Sequence, residues 1–305
     1  EYGEFQRMGI DAGTTLILHD FAEVYANMGF FCYFDLEQPF MNMQFSADHA
    51  RLRPYYAFLR EHPEAFNGLS YKPEVAVIPP PLALISDTGP IDSAQGCALI
   101  LSGANILYDV TDISKDLDYK VVIANGYAWS DEQLTKLLDF ARAGGTVIAI
   151  DGRFAMYDGN YKTVIRPELD AIKTDGTHPL GKGQFIFFSD YTGWKYWAYQ
   201  DQESFNLIKN AVTPIAMANS APQGVQLLPY NGEDKLVVHI LNYNYENNNF
   251  PIQKNFSVSV RLPTDFTIEG KTLTLLSPDG NAGMPVEYKI EDGILNFTVP
   301  ELYIW

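Results

Sequence analysis

Apolar and polar positions alternate most regularly in the middle of the chain, where they predict a strand, a helix and a second strand. Val121–Ala124 is a short continuous apolar run, which is typical of a strand buried on both faces. Ser130 and Gln133 have the spacing of a capping box, so a helix is expected to begin after Ser130 and to end at Gly144. Thr146–Ile150 is the next apolar run. This order favours a right-handed crossover between parallel strands.

The same succession of strand and helix patterns continues on both sides of this segment. Strands separated by helices predict an α/β fold with a doubly wound parallel sheet. The other predicted elements of this region are a strand from Val75, a helix at Asp92–Ala104, a strand at Ile106–Val110, a strand at Gln184–Ser189 and a helix at Gln202–Val212.

The beginning of the chain has a different pattern. It predicts a helix at Thr15–Met28, an aromatic strand at Phe30–Leu36 and a helix near Arg53–His62 with Pro54 in its first turn. Two helices and one strand cannot form a core by themselves. We therefore interpret this segment as the tail of a larger α/β fold, and the start EYGEF as a point inside a longer polypeptide.

After residue 214 the helical periodicity disappears, and short runs of alternating polarity are separated by Gly, Pro, Asn and Asp. This spacing predicts a small antiparallel β-sandwich. The predicted strands are Val225–Leu228, Lys235–Asn242, Phe256–Leu262, Thr272–Ser277, Val286–Ile290, Ile294–Val299 and Leu302–Trp305.

The composition narrows the classes of partner. The 305 residues have a net charge of -17 and only 21 Lys and Arg, which disfavours nucleic acid. No segment has the roughly 20 apolar residues of a transmembrane helix, so no membrane partner is expected. The five histidines show no metal-ligand spacing, and we predict neither a metal nor a cofactor. Cys32 and Cys97 lie in apolar segments and are expected to be buried free thiols.

Aromatic residues make up 14% of the chain and are concentrated in YTGWKYWAYQD, Tyr191–Asp201. A loop in which aromatic and polar residues alternate is suited to stack on pyranose rings or to fill a subunit interface. Trp194 and Trp197 are therefore candidate substrate-binding residues. The alternative interpretation is that these rings anchor the loop to its own domain.

Several strings carry a resemblance to glycoside hydrolases, in particular to the β-galactosidases of family 42. Their amidotransferase-like, flavodoxin-like "trimerisation" domain is similar to YKVVIANGYAWSDEQLTKLLDFARAGGTVIAIDG and GKGQFIFFSD. Their closing β-sandwich is similar to KLVVHILNY, VSVRLP and ILNFTVPELYIW. The end of their (β/α)8 barrel resembles HDFAEVYANMGFFCYF and RPYYAFLREHPEAF.

The resemblance implies three domains. Residues 1–70 would supply the last helix, last strand and exit helix of the barrel. Residues 71–215 would form the flavodoxin-like domain, and residues 216–305 the β-sandwich. Trimerisation is also implied by the resemblance alone.

The resemblance further implies a catalytic role for Glu1. The start of the chain falls where such retaining enzymes carry a nucleophilic glutamate at the end of the seventh barrel strand, with Glu4 as the fallback. Phe34, Asp35 and Glu37 would face the substrate from the end of the eighth strand. The alternatives are a solvated terminal carboxylate for Glu1 and a capping loop for the other three. Retaining hydrolysis needs a second carboxylate, normally on the fourth strand, so the chain alone would not complete the reaction.

Amidotransferase activity is not expected, despite the resemblance of fold. That chemistry needs a cysteine on a strained turn after a strand, together with a histidine. The turn that follows Thr146–Ile150 has Asp151 at this place.

Two functional hypotheses follow. The first is the C-terminal portion of a glycoside hydrolase that cleaves O-glycosidic bonds, with two accessory domains that complete the substrate site or hold subunits together. Its partners would be an oligosaccharide or polysaccharide, the remainder of the barrel and further copies of the chain. The second is a non-catalytic carbohydrate-binding or assembly module. The compartment stays open, and a periplasmic or secreted location is favoured over the cytoplasm.

Overall fold

The computed structural model describes residues 10–29, 42–82, 88–213, 220–247, 249–263, 266–268, 270–280 and 283–305. The described residues belong to two compact units. The α/β unit lies within Pro73–Ala218, and the β-rich unit combines residues of Glu1–Lys72 with residues of Asn219–Trp305. The assignment of residues 1–70 to a barrel end stays a prediction.

The α/β unit contains strands and helices in alternation, as the sequence indicates. Its strands are β1 (Val75–Ile78), β2 (Tyr108–Val110), β3 (Val121–Ala124), β4 (Thr146–Ile150), β5 (Gly176–Leu180) and β6 (Gly183–Phe188). Its helices are α3 (Gly89–Gly103), α4 (Asp131–Ala143), α5 (Pro167–Asp170), α6 (Thr192–Tyr199) and α7 (Gln202–Val212).

One six-stranded sheet in the order β2-β1-β3-β4-β6-β5 forms the centre of this unit. All neighbouring strands are parallel except β5, which pairs antiparallel with β6. Alternate strand residues face opposite sides. Val122 and Ala149 pack in a core cluster with α4, whereas Val121 and Ile148 pack in a second cluster with α3 and α7. Helices therefore cover both faces, and the parallel sheet is confirmed with one antiparallel edge strand that the sequence did not predict.

The helix after β3 begins and ends as its sequence predicts. The Gln133 backbone N–H donates to Ser130 Oγ at 3.2 Å, and the Ser130 N–H donates to Gln133 Oε1 at 3.0 Å. Gly144 follows the helix with φ of 129°, a conformation that a side chain would disfavour. The capping box and the terminal glycine thus fix both ends of α4.

The aromatic segment Tyr191–Asp201 is not a loop, and that prediction is wrong. Thr192–Tyr199 forms α6, which packs closely against α3. The contact is made backbone to backbone, since a Cβ on Gly193 would lie 2.2 Å from the Ser93 carbonyl oxygen. The many aromatic residues hide the helical period of this segment in the sequence. The close contact of Gly193 with α3 stabilises the helix, and no local sequence pattern indicates that contact.

The β-rich unit contains the two helices from the start of the chain and the strands from its end. The helices are α1 (Ile10–Ala26) and α2 (Asn42–Glu61), followed by a 3-10 turn at Pro63–Ala65. The strands are β7 (Val225–Asn231), β8 (Leu236–Asn242), β9 (Gln253–Arg261), β10 (Leu273–Leu275), β11 (Met284–Val286), β12 (Tyr288–Glu291) and β13 (Ile294–Leu302). They form separate antiparallel sheets with the orders β7-β8, β12-β13-β9 and β10-β11.

Three details of this unit differ from the sequence prediction. Helix α2 begins at Asn42, so Pro54 lies in its interior and not in its first turn. The predicted strand Val286–Ile290 is divided between β11 and β12. The last predicted strand does not form, because β13 runs on to Leu302 and the final residues pack as a buried tail ending in Trp305. None of the described helices combines the length and the apolar character that crossing a bilayer requires.

Candidate functional site

A pocket of about 290 Å³ lies at the carboxyl ends of the parallel strands in the α/β unit. The residues that line it are Gly89, Ser93, Tyr127, Asp151, Arg153, Tyr191 and Trp194. Strands β2 and β3 flank β1 on opposite sides, so the direction of strand order reverses there. Open α/β sheets bind ligands outside the carboxyl ends of their strands at such a reversal. Helix α3, which follows β1, and the turn that follows β3 border the pocket.

The turn after β4 contains Asp151, a residue with a strained backbone conformation and a buried carboxylate. Asp151 has φ of 84° and is 5% exposed. Its Oδ1 accepts a hydrogen bond from the Arg153 backbone N–H at 2.9 Å, and its carbonyl oxygen accepts one from Phe154 at 2.9 Å. A positive φ at a residue other than glycine costs about 1–3 kcal/mol and concentrates at functional sites. Asp151 thus presents a hydrogen-bond acceptor, and no thiol, directly after β4.

Arg153 forms an ion pair with Asp151 and is enclosed by two tyrosine rings. Its Nε and Nη2 lie 3.5 Å and 3.4 Å from Asp151 Oδ1 and Oδ2. Nη2 also donates to the Tyr127 hydroxyl, and the guanidinium carbon lies 3.9 Å from the Tyr127 ring centre and 5.3 Å from that of Tyr191. Burial alone would lower the pKa of Arg153, but the hydrogen bond and charge of Asp151 raise it overall. The guanidinium is therefore held charged in a fixed orientation.

Hydrogen-bonding capacity remains at this pair. In the part of the chain that the structure describes, the hydrogen bonds of the Arg153 guanidinium use Nε and Nη2 and leave Nη1 available. A carboxylate has about four lone-pair sites, so Asp151 can accept further donors. The Arg153 side chain is 41% exposed, against 8% for Asp151. The pair therefore offers a ligand the two N–H groups of Arg153 Nη1 as donors and the Asp151 carboxylate as an acceptor. The pair has no net charge.

A second arginine fixes the segments that carry these groups. The Arg166 side chain is 5% exposed. Its Nε donates to the Ala155 carbonyl at 3.1 Å, its Nη2 to the Trp129 carbonyl at 2.5 Å, and its Nη1 to Asp131 Oδ1 at 2.8 Å. These bonds tie the segment after β4 to the segment after β3. The backbone segments that carry Tyr127 and Arg153 are therefore joined through one buried guanidinium.

Cys97 lies in the same α/β unit, in helix α3. It is a free and fully buried thiol, as predicted, and burial raises its pKa to about 12. Ser93 Oγ, on the preceding turn of the helix, donates to Asn125 Oδ1 at 2.9 Å. Since the thiolate is the reactive form, Cys97 is unsuited to nucleophilic catalysis.

The structure tests the predicted placement of only some candidate residues. Trp194 lines the pocket and is half-buried, whereas Trp197 is 42% exposed and does not line it. The remaining candidates, Glu1, Glu4, Phe34, Asp35, Glu37 and also Cys32, lie outside the described residues. Sequence reasoning did not select Tyr127 or Arg153. The signal available was the polar run IDGR directly after a buried strand.

One group of metal-ligating residue types lies on α1 of the β-rich unit. The ligand atoms of His19, Asp20 and Glu23 are within 4.8 Å of one another. The His19 ring is buried, stacked on Phe250 and edge-on to Tyr243. Burial lowers its pKa to about 4. This packing accounts for the histidine as a neutral core residue, and we assign no metal to it.

A larger cavity of about 550 Å³ lies in the β-rich unit and has a mainly apolar lining. One of the carboxylates that line this cavity, Asp279, is already engaged. Its Oδ1 accepts from the Tyr55 hydroxyl at 2.6 Å, and its Oδ2 accepts from the backbone N–H groups of Ile304 and Trp305 at 3.1 Å and 3.0 Å. Asp279 is therefore satisfied by groups of the chain itself and serves the packing of this unit.

Known structures share this fold, although no protein-family model and no curated protein matches the sequence. One is α-L-fucosidase isoenzyme 2 from Paenibacillus thiaminolyticus, at 14% identity and a TM-score of 0.66, covering 95% of this chain and 56% of the fucosidase. Another is the β-galactosidase from Bacillus circulans sp. alkalophilus, at 13% identity and a TM-score of 0.50, covering 84% of this chain and 45% of that one.

The chain thus spans about half the length of each of these proteins. At such identities the likeness concerns the fold alone. The chain has a fold that is found in glycoside hydrolases.

Proposed function

We propose that the chain is the C-terminal portion of a glycoside hydrolase that cleaves O-glycosidic bonds, with an architecture like that of family 42 β-galactosidases. The α/β unit would be its flavodoxin-like domain at residues 71–215. Residues 216–305 would be its β-sandwich, and residues 1–70 the end of its (β/α)8 barrel. The fold likeness to the fucosidase, which extends over 95% of the chain, supports this proposal.

The observation that carries the function is the composition of the pocket beside β4. A charge-neutral Asp151–Arg153 pair lies next to Tyr127, Tyr191 and Trp194. Carbohydrates present hydroxyl groups that both donate and accept, and apolar ring faces that stack on aromatic side chains. The α/β unit would therefore contribute a carbohydrate-binding site to the enzyme, for the substrate or for a neighbouring part of a longer chain of sugars.

Catalysis would belong to the barrel, with Glu1 as the nucleophile. The test is hydrolysis of aryl β-D-galactosides and aryl α-L-fucosides by the longer natural protein that contains this chain. Glu1→Gln should lower kcat by at least about a thousandfold, because a covalent step is lost. Glu4→Gln, at the fallback position, should change kcat little, and a large loss in Glu4→Gln alone would move the nucleophile to Glu4. An unchanged kcat for Glu1→Gln would remove Glu1 from the mechanism, and no hydrolysis of any aryl glycoside would contradict the enzyme class.

The second candidate, a non-catalytic carbohydrate-binding module, is favoured by one observation. Among the residues that line the pocket, Asp151 supplies the one carboxylate, whereas glycoside hydrolysis uses two. The two candidates differ in what the longer protein does. Binding of a sugar without turnover by that protein would select the module.

A further inference from the structure

The Asp151–Arg153 pair has a geometry that distinguishes among sugars. Resting on the carbohydrate function proposed above, we propose that this pocket binds one neutral pyranose through two adjacent hydroxyl groups, one donating to Asp151 and the other accepting from Arg153 Nη1.

The charge of the pocket is the first reason. Asp151 and Arg153 neutralise each other, and no other titratable cation lines the pocket among the described residues. A carboxylate or sulfate on the ligand would have to compete with Asp151 for Arg153. The net charge of -17 on the chain opposes the approach of an anion as well. The charge of this pocket therefore favours a neutral polar ligand over an anionic one.

The spacing of donors and acceptors is the second reason. Asp151 Oδ2 and Arg153 Nη2 are 3.4 Å apart, so the open Nη1 lies one guanidinium nitrogen away from the carboxylate. Neighbouring hydroxyl oxygens of a pyranose lie side by side, and each can donate and accept. One hydroxyl can therefore satisfy the acceptor while the next satisfies the donor.

The size and the walls of the pocket are the third reason. Its volume of about 290 Å³ is just below the roughly 300–1,000 Å³ that ligand pockets occupy. One sugar ring fits that space better than an extended oligosaccharide does. Arg153 lies over the rings of Tyr127 and Tyr191, which leaves Trp194 as the aromatic surface for the apolar face of the sugar.

The orientation of the pair is set before a ligand binds. Arg153 is held by Asp151, by the Tyr127 hydroxyl and by the two tyrosine faces, and Asp151 is held by the turn in which it lies. Little side-chain entropy is lost on binding, and a site built to pair with hydroxyl groups rejects an analogue that lacks them. The pocket should therefore discriminate by hydroxyl position more than by the rest of the ring.

The test is a titration of the 305-residue chain, followed by amide NMR, with the methyl glycosides of D-galactose, L-fucose, D-glucose and D-mannose. The tightest of these is then compared with its monodeoxy analogues and with methyl galacturonoside as the anionic probe. Removal of either of two adjacent hydroxyls should weaken binding at least about tenfold, while removal of the others changes it less than about threefold. The anionic probe should bind at least about tenfold more weakly than its neutral counterpart.

Two variants complete the test. Asp151→Asn tolerates the positive φ and leaves Arg153 without a counter-charge, so it should lose at least about tenfold for the neutral sugar and gain affinity for the anionic one. Arg142→Lys, on the exposed Arg142–Asp139 pair, is the control and should change neither.

Binding that depends on one hydroxyl only, on hydroxyls that are not adjacent, or more strongly on the anionic probe would overturn the inference and leave the carbohydrate function standing. Absence of binding by all four glycosides would overturn the carbohydrate function itself.

Discussion

Two places in this protein set a carboxylate beside tyrosine and tryptophan, and they differ in what the carboxylate touches. Asp279 in the β-rich unit accepts from the Tyr55 hydroxyl and from the backbone N–H groups of Ile304 and Trp305. All of these partners belong to the folded chain. Asp151 in the α/β unit accepts from Arg153, whose side chain is 41% exposed and still has a nitrogen available.

The difference separates a structural carboxylate from a binding one. Burial raises the pKa of Asp279, although its hydrogen bond with Tyr55 and those with the two backbone amides act in the opposite direction. It also raises the pKa of Tyr55. A satisfied group of this kind stabilises a packing arrangement and needs no ligand. The Asp151–Arg153 pair lines a pocket and can still form hydrogen bonds with a ligand.

The largest expected effect is a loss of stability in acid, caused by buried histidines of the β-rich unit. One of them is His239 on β8. Burial lowers the pKa of His239 to about 4 from its ordinary 6.5. Its stabilising contribution is complete above pH 6.5 and falls as the pH drops toward 4, because the unfolded chain binds the proton first. The shift corresponds to about 3 kcal/mol. His19 in the same unit behaves alike, with a pKa near 4.

Urea unfolding between pH 7.5 and 4.5, followed through amide signals of β7 and β8, measures this effect. The difference between the wild-type chain and His239→Leu isolates the histidine from Asp279, whose raised pKa works in the opposite direction by favouring the folded state in acid. The free energy of unfolding of His239→Leu should depend less on pH than that of the wild type. Equal pH dependence of the two would contradict the buried neutral ring.

Removal of the structural carboxylate is expected to be nearly as costly. Asp279→Ala leaves two backbone N–H groups and the Tyr55 hydroxyl without an acceptor, so the β-rich unit should lose about 3 kcal/mol of unfolding free energy. Asp279→Asn keeps one acceptor oxygen and should lose less than about 1.5 kcal/mol. Amide exchange at Ile304 and Trp305 provides the measurement. If Ala and Asn have the same effect, the satisfied network does not explain the role of Asp279.

Conservative replacement of the binding arginine should act on affinity and leave stability unchanged. Arg153→Lys keeps the charge but loses the planar fork, so sugar affinity should fall about tenfold, which is about 1.4 kcal/mol. Arg142→Lys on α4 is the matched control, since its partner Asp139 is exposed. Calorimetric titration with the tightest methyl glycoside compares the two. An unchanged affinity in Arg153→Lys would mean that Arg153 acts through its charge alone.

The smallest expected effect distinguishes two neighbouring tryptophans. Trp194→Ala removes a wall of the pocket and should weaken sugar binding about fivefold, or about 1 kcal/mol for an aromatic contact. Trp197→Ala, one turn later on α6, should leave the affinity unchanged because Trp197 does not line the pocket. The same titration gives both values. An effect of Trp197→Ala larger than that of Trp194→Ala would move the stacking surface out of the pocket.

The elements that the sequence predicts well are those whose ends are fixed by local chemistry. Helix α4 has its capping box and its glycine, and β3, β4 and α7 are found where their patterns place them. Helix α6 was missed because its formation depends on the contact of Gly193 with α3, which no local pattern contains. The predicted start of α2 is also wrong, because the sequence places Pro54 in the first turn. Tertiary packing overrides the low helix propensity of proline, and the helix continues through Pro54.

The candidate site was only partly predictable. The density of aromatic residues points to Trp194, whereas the sequence marks Asp151 only as a residue that cannot replace a thiol. Arg153 and Tyr127 meet because the parallel strands that precede them end at the same edge of the sheet. The sequence alone does not show which strands are neighbours in the sheet. The positive φ of Asp151 is a property of the folded turn and has no sequence signature apart from the glycine that follows it.

The most direct measurement is the NMR spectrum of the indole N–H groups during titration with the neutral methyl glycosides. The chain has four tryptophans, Trp129, Trp194, Trp197 and Trp305, of which only Trp194 lines the pocket. A sugar bound at the Asp151–Arg153 pair should give a saturable shift of the Trp194 signal, while those of Trp197 and Trp305 stay in place. A shift of Trp305 or Trp197 without Trp194, or no shift with any of the glycosides, would contradict a carbohydrate site at the Asp151–Arg153 pair.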